Sequence, residues 1–164
     1  MSESYQEQLG GAPILRPGPG DRHELICERL HAAVQASIAN LAGTRLLTRR
    51  SQIKLGSNIL VCPDLALVAS ATGKLWLAAE VVSSEDHQPD TVLKKEIYEQ
   101  FRLPRLWMID PRYDNLEVYH GSPYGLMLKG IMAGSEILTE RLLPEFQISV
   151  ADLFLPPMDA GGHG

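Results

Sequence analysis

A chain of 164 residues is long enough to bury one core and too short for two, so one domain with one site is the expectation. Apolar residues make up 45% and charged residues 21%, which excludes a disordered or fibrous protein. The net charge of −5, from 15 basic and 20 acidic side chains, excludes a protein that coats nucleic acid by bulk electrostatics. It does not exclude one whose carboxylates are neutralised by a bound metal.

No apolar run approaches the roughly 20 residues needed to cross a bilayer, and the polar start M-S-E-S-Y-Q-E-Q lacks the features of a secretion signal. A cytoplasmic protein with no membrane partner is expected. Cys27 and Cys62 stand apart without C-x-x-C spacing and read as reduced core thiols.

In chain order, residues 1–19 carry Gly10, Gly11, Pro13, Pro17, Gly18 and Pro19 and read as a flexible N-terminal segment. The domain is expected over residues 20–156, with a flexible tail at 157–164. From Asp21, a plausible N-cap, the spacing Leu25, Ile26, Leu30, Ala33, Val34, Ile38, Leu41 predicts an amphipathic helix that Gly43 stops. T-R-L-L-T and N-I-L-V-C then read as strands, and P-D-L-A-L-V-A and K-L-W-L-A-A-E-V-V as a hairpin around S-A-T-G. Asp90 to Arg102 return to helical spacing with Leu93, Ile97 and Phe101 on one stripe, and R-L-W-M-I-D reads as a buried strand. Strand, helix, strand predicts a right-handed crossover. L-E-V-Y-H and Y-G-L-M-L-K add short strands, and S-V-A-D-L-F a closing amphipathic turn. Tyr98 and Trp107 read as core aromatics.

If the hairpin closes symmetrically from Ser70 to Lys74, with Ala69 facing Leu75, Asp64 falls opposite Glu80. Directly opposed residues project to one face with Cβ atoms roughly 5 Å apart, where like charges repel. Two carboxylates so placed call for a cation, and hard ions such as Mg²⁺ take oxygen ligands of this kind. A slip of one residue would put them on opposite faces. Lys94, next to the buried stripe at Leu93, can reach inward to orient an attacking water and offset charge on a phosphate. The same three residues can equally form a structural salt-bridge cluster. Glu24 and Glu28 read as a solvated face of the first helix. His23 and His31 lie eight apart and His87 falls in a loop, so they read as solvated or capping residues and not as a histidine metal site.

At these residues the chain resembles the Uma-type restriction endonucleases of the PD-(D/E)xK superfamily. The likeness runs from Arg22 to Phe154 through R-H-E-L-I-C-E-R-L, P-D-L-A-L-V, A-E-V-V-S-S, D-T-V-L-K-K-E-I-Y, R-L-W-M-I-D-P and L-P-E-F-Q-I-S-V-A-D-L-F. The resemblance implies an α/β, restriction-endonuclease-like αβββαβ core with a mixed central sheet and additional C-terminal strands. It also implies a metal-dependent hydrolase acting on DNA. Asp64 takes the place of the Pro-Asp acid and Glu80 that of the second acid. Val82 stands where the motif's lysine is expected, and Lys94 on the following helix matches the position this family uses instead. Ser83-Ser84-Glu85 departs from the family's Ser-Pro-Ser.

The expected catalytic set is therefore Asp64, Glu80 and Lys94, with Mg²⁺ or Mn²⁺ on Asp64, Glu80 and the carbonyl of Val81. Cleavage of both strands of a duplex would favour a homodimer, by substrate symmetry. The alternative is a catalytically silent nuclease fold that binds nucleic acid or a protein partner.

Overall fold

The computed structural model describes residues 3–83 and 88–157. In chain order it contains β1 (Tyr5–Leu9), β2 (Pro13–Arg16), α1 (Asp21–Ile38), β3 (Thr44–Leu46), β4 (Ile53–Gly56), β5 (Ile59–Val61), β6 (Leu65–Ala69) and β7 (Leu75–Val81). A π-helical turn (Pro89–Lys94) then runs directly into α2 (Lys95–Phe101). It is followed by β8 (Arg105–Asp110), β9 (Asn115–Ser122), β10 (Gly125–Ala133), β11 (Ile137–Glu140), β12 (Leu143–Ser149) and α3 (Val150–Phe154). Among these residues no helix is long and apolar enough to cross a membrane.

Six strands form the central sheet in the order β10-β9-β8-β7-β6-β3. Its β7–β8 pair is parallel and joined through α2, as the crossover predicts, and its other pairs are antiparallel. The order α1-β3-β6-β7-α2-β8 realises the expected αβββαβ core inside a mixed sheet, with β9 to β12 as the additional C-terminal strands.

Strand alternation sorts the core into two layers. Leu65, Leu67, Leu77, Ala79 and Val81 face α1 and the β11–β12 hairpin, where Trp107 stacks on Phe146 at 5.2 Å. Ala66, Val68, Ala78 and Val82 face α2, with Leu106 and Met108 beside them. Both cysteines are buried and free.

The hairpin between β6 and β7 is tighter than the symmetric loop expected from sequence. Ala69 accepts from Gly73 at 2.7 Å, and its own amide donates to Lys74 at 2.9 Å, with Gly73 at φ 73° where a side chain would be strained. That turn sets Val68 opposite Leu75, one step away from the expected pairing. A bulge at Trp76 absorbs the step, so that Leu65 faces Ala79 and Leu67 faces Leu77. The register within β6–β7 is thus the expected one, reached by two compensating irregularities, but Asp64 precedes β6 and lies outside the ladder, so its carboxylate meets His23 and Arg50 instead of facing Glu80 as expected.

Three expectations need correction. Residues 1–19 hold the β1–β2 hairpin, which joins β5 and β4 in a second, four-stranded sheet. Its glycines and prolines mark a turn and strand ends rather than a flexible segment. The strand expected at N-I-L-V-C is β5 of that same side sheet. The α1 N-cap is Gly20, without a side-chain cap, and Asp21 is the first helical residue. On the second helix Leu93 is 36% exposed, because the π-helical turn shifts the inward stripe to Asp90, Lys94, Ile97 and Tyr98. The tail expected at 157–164 lies, apart from Pro157, outside the described residues, as do His87 and the Ser84–Glu85 loop.

Candidate active site

Glu80 sits near the end of β7 on the α2 side of the sheet, and every neighbour of its carboxylate is buried. Lys94 Nζ donates to Oε1 at 2.7 Å and the Tyr98 hydroxyl donates to Oε2 at 2.6 Å. The spacing Asp90, Lys94, Tyr98 places three polar groups on successive turns of one helical face, all turned inward. Lys94 has no exposed side-chain surface; it also reaches Glu7 Oε2 at 2.7 Å and Asp90 Oδ1 at 3.9 Å.

Glu7 comes from β1 and Arg16 from β2. The Arg16 guanidinium donates to Glu7 Oε1 at 2.6 Å and forks onto both oxygens of Asp90 at 3.1 and 3.0 Å. Glu7 Oε2 also accepts the amide of Cys62, and Asp90 Oδ2 that of Ser83. The N-terminal hairpin therefore closes one side of the site.

Asp64, in the extended lead into β6, faces the other way. Its Oδ2 accepts the amide of Val81 at 2.8 Å, and its Oδ1 accepts from Arg50 at 2.8 Å and lies 3.0 Å from His23 Nε2. The amide and carbonyl of a strand residue point to the same edge, so the Val81 carbonyl faces the Asp64 side. Arg50 holds its position through a left-handed backbone (φ 56°), a hydrogen bond from its backbone amide to the Pro63 carbonyl, and donation from Nη2 to both oxygens of Glu24 at 2.5 and 2.6 Å. His31 Nε2 lies 2.7 Å from the Asp64 carbonyl oxygen.

Burial dominates the protonation of these groups, and their neighbours decide the outcome. For Asp64, burial works upward, but His23, Lys94 and Arg50 overcome it and hold the carboxyl below the usual carboxylate range. For Glu80, burial pushes the carboxyl well above its ordinary value; Lys94 opposes this, while Glu7, Asp64 and Asp90 add to it. Burial works against the charge of Lys94, yet Glu80, Glu7, Tyr98 and Asp90 hold the amine protonated. Both members of the Glu80–Lys94 pair thus favour their protonated form, and charge balance agrees. Among the described residues, three nearly inaccessible carboxylates (Glu7, Glu80, Asp90) meet two equally buried cations, Arg16 and Lys94, while the fourth, Asp64, is paired with the partly buried Arg50. The excess of one negative charge around Lys94 favours a proton on Glu80 unless a cation enters.

The structure brings Glu80 and Lys94 into direct contact and joins Asp64 to them through the Val81 amide. Sequence reasoning missed Glu7, Arg16, Asp90, Arg50 and the contact of His23 with Asp64, and it placed Glu24 on a solvated face. The i, i+4, i+8 run Asp90, Lys94, Tyr98 was a readable signal for Asp90. Nothing local marks Glu7 or Arg16, whose partners are distant in sequence. A cleft of about 550 Å³ lies beside the site, lined by Tyr5, Arg16, His23, Val82 and Ser83 but not by Asp64, Glu80 or Lys94.

The chain matches the Uma2 family, described as "Putative restriction endonuclease", over residues 2–151, and it belongs to that family. Among solved structures it is similar to a protein of Anabaena variabilis ATCC 29413 described as a "putative nuclease belonging to DUF820". The TM-score is 0.76 at 15% identity, covering 93% of this chain and 91% of that one. The likeness shows a restriction-endonuclease-like fold. A slighter likeness, to the type IIG restriction endonuclease BpuSI, has a TM-score of 0.44 at 14% identity and covers 68% of this chain and 13% of that one. No curated protein matches the chain.

Proposed function

We propose that this protein is a metal-dependent endonuclease that hydrolyses DNA phosphodiester bonds, with Asp64, Glu80 and Lys94 as its catalytic set. The observation that carries the reading is the meeting of inaccessible groups at Val81: Asp64 bonds its amide, and Glu80, its neighbour in the chain, is in direct contact with Lys94. The donor set fits the group: Asp64, Glu80 and the Val81 carbonyl offer only oxygen, which suits Mg²⁺ or Mn²⁺. When bound there, such an ion supplies Lewis acidity toward a phosphate oxygen and lowers the pKa of its water.

The remaining work falls to side chains already in place. Lys94 keeps its proton and presents a fixed positive charge toward the phosphorus oxygens as they gain charge. Tyr98 fixes the orientation of Glu80, and Arg16 holds Glu7 and Asp90 so that the lysine stays aimed at the second acid. Cleavage of both strands would call for a two-fold dimer, which sedimentation tests directly.

The test compares the protein with its Asp64→Ala and Glu80→Ala variants on plasmid and single-stranded DNA, with Mg²⁺, Mn²⁺ or EDTA. Metal-dependent cutting that disappears in both variants is expected; undiminished cutting in both sinks the assignment. A second reading, the silent fold that binds nucleic acid or a protein, is favoured by one observation. Asp64, Glu80 and Lys94 all have partners within the chain already. A silent fold gains no stability from Mg²⁺, whereas a working site gains it by mass action.

A further inference from the structure

On the α1 side of the site, one cluster has a different chemistry. The ligand atoms of His23, Cys27 and Asp64 all lie within 4.8 Å of one another. His23 and Cys27 are four residues apart on α1, so they stand one above the other on a single helical face, and Asp64 is brought against that face by the lead into β6. We propose that His23, Cys27 and Asp64 form a second cation site, selective for borderline metals that accept sulfur, with Zn²⁺ as the best match.

The donor types make this distinction. Imidazole, thiolate and carboxylate with a fourth position left to water is a zinc-type set, whereas Mg²⁺ has little use for sulfur. Zinc ligand bonds of about 2.0 to 2.3 Å put neighbouring donors about 3.3 to 3.8 Å apart in a tetrahedron, so the cluster needs to contract by only about 1 Å. His23 Nε2 and Asp64 Oδ1 are already 3.0 Å apart. Supporting contacts fix the carboxylate: the Val81 amide holds Oδ2 at 2.8 Å and His31 contacts the Asp64 carbonyl at 2.7 Å, which leaves Oδ1 facing the cluster. His23 borders the cleft, so one of the three ligands faces solvent.

Arg50 is the built-in competitor. Its Nη1 rests 2.8 Å from the same Oδ1, while its Nη2 is anchored on Glu24 and stays there when Oδ1 is taken by an ion. The Cys27 thiol gives up its proton on binding. Because the two sites share Asp64, a thiophilic ion here competes with the oxygen-only site, and Zn²⁺ would inhibit the proposed nuclease. That consequence rests on the nuclease reading; the binding does not.

Co²⁺ titration of the full chain tests the binding without reference to activity, since thiolate-to-cobalt charge transfer in the near ultraviolet reports a Co–S bond. The expected result is a charge-transfer band that saturates at one ion, is displaced by Zn²⁺, and is absent in Cys27→Ser. Affinity should fall at least about tenfold in His23→Gln, the loss that even an outer partner of a ligand can cause, and should rise in Arg50→Met. Glu80→Ala keeps the band, which separates this site from the proposed catalytic one. Co²⁺ binding without a thiolate band, or a band lost in Glu80→Ala, overturns the proposal. If Cys27→Ser does not fold, Zn²⁺ should raise the Tm of the wild type and not that of His23→Gln; equal shifts overturn it too.

Discussion

Replacing Lys94 by methionine keeps most of the buried side-chain volume and removes one charge that two inaccessible carboxylates share. Nζ lies 2.7 Å from both Glu7 Oε2 and Glu80 Oε1, and the substitution raises the excess of buried negative charge around Glu80 from one to two. Breaking a buried ion pair from one side costs about 3–5 kcal/mol, and with two carboxylates orphaned together the upper part of that range, ~4–5 kcal/mol, is expected. For a chain of this size that corresponds to a fall in Tm of roughly 8–20 °C. Urea unfolding in EDTA at neutral pH, compared with wild type, measures it.

Two further readings follow from the same titration. Burial holds the folded-state pKa of Glu80 above its ordinary 4.5, and Lys94 opposes that shift, so loss of the lysine raises the carboxyl further. A carboxyl with a raised folded-state pKa takes up protons more readily folded than unfolded. Its stability contribution therefore falls as pH rises from the ordinary value through the folded one. The deficit of Lys94→Met should accordingly shrink as pH is lowered toward 4.5. Mg²⁺ should also restore stability by replacing the missing charge, by about 2.7 kcal/mol at a hundredfold excess over its Kd. A deficit below about 1 kcal/mol would refute the electrostatic reasoning. A full deficit untouched by Mg²⁺ would leave a salt-bridge cluster with no role in metal binding.

Other substitutions probe separate parts of the argument. Glu80→Gln removes the excess charge and should change the metal-free urea midpoint by less than about 1 kcal/mol, while abolishing the Mg²⁺-linked gain seen by thermal unfolding. Deleting residues 1–16 removes Glu7 and Arg16 and frees the β5 edge, so Mg²⁺-linked stabilisation should vanish and light scattering should report association. Asp64 is held below its ordinary 3.8, so its contribution is present above that value and is lost as pH falls beneath it. Asp64→Asn should flatten the acid limb of a stability–pH curve measured by denaturant titration. Trp107→Ala, which empties a fully buried site beside Phe146, should cost about 3–5 kcal/mol by urea unfolding, whatever the metal.

What could be read from sequence followed the range of the forces involved. The α1 periodicity, the β6–β7 alternation and the apolar strand β8 are local patterns, and they placed Glu80 and Lys94 on facing elements. The β6–β7 register came out right although the turn did not, because side-chain alternation on two buried faces specifies pairing more strongly than loop length does, whereas the expected facing of Asp64 and Glu80 did not, since Asp64 stands outside the ladder. The π-helical turn was invisible: Leu93 fits an α-helical stripe in sequence, and only the inward demand of Asp90 and Lys94 for Arg16, Glu7 and Glu80 rotates it out. Glu7 and Arg16 stand in a Gly- and Pro-rich stretch whose local signals read as loop, and their partners are supplied from much further along the chain. His23 looked like a solvated helix residue because its partner, Asp64, lies 41 positions away.

The ion pair between Arg16 and Asp90 spans 74 residues of sequence, and this has a consequence for the order of assembly during synthesis. The β1–β2 hairpin leaves the ribosome before the second helix, so Arg16 and Glu7 meet Asp90 and Lys94 only once that helix has been made. Contacts of such separation carry a closure cost that local strand pairing does not, so the acid cluster belongs to the late part of folding. A nascent chain that ends before Lys94 has Glu7 and Glu80 but not the amine that holds them. The whole cluster therefore comes together only after the second helix has been made.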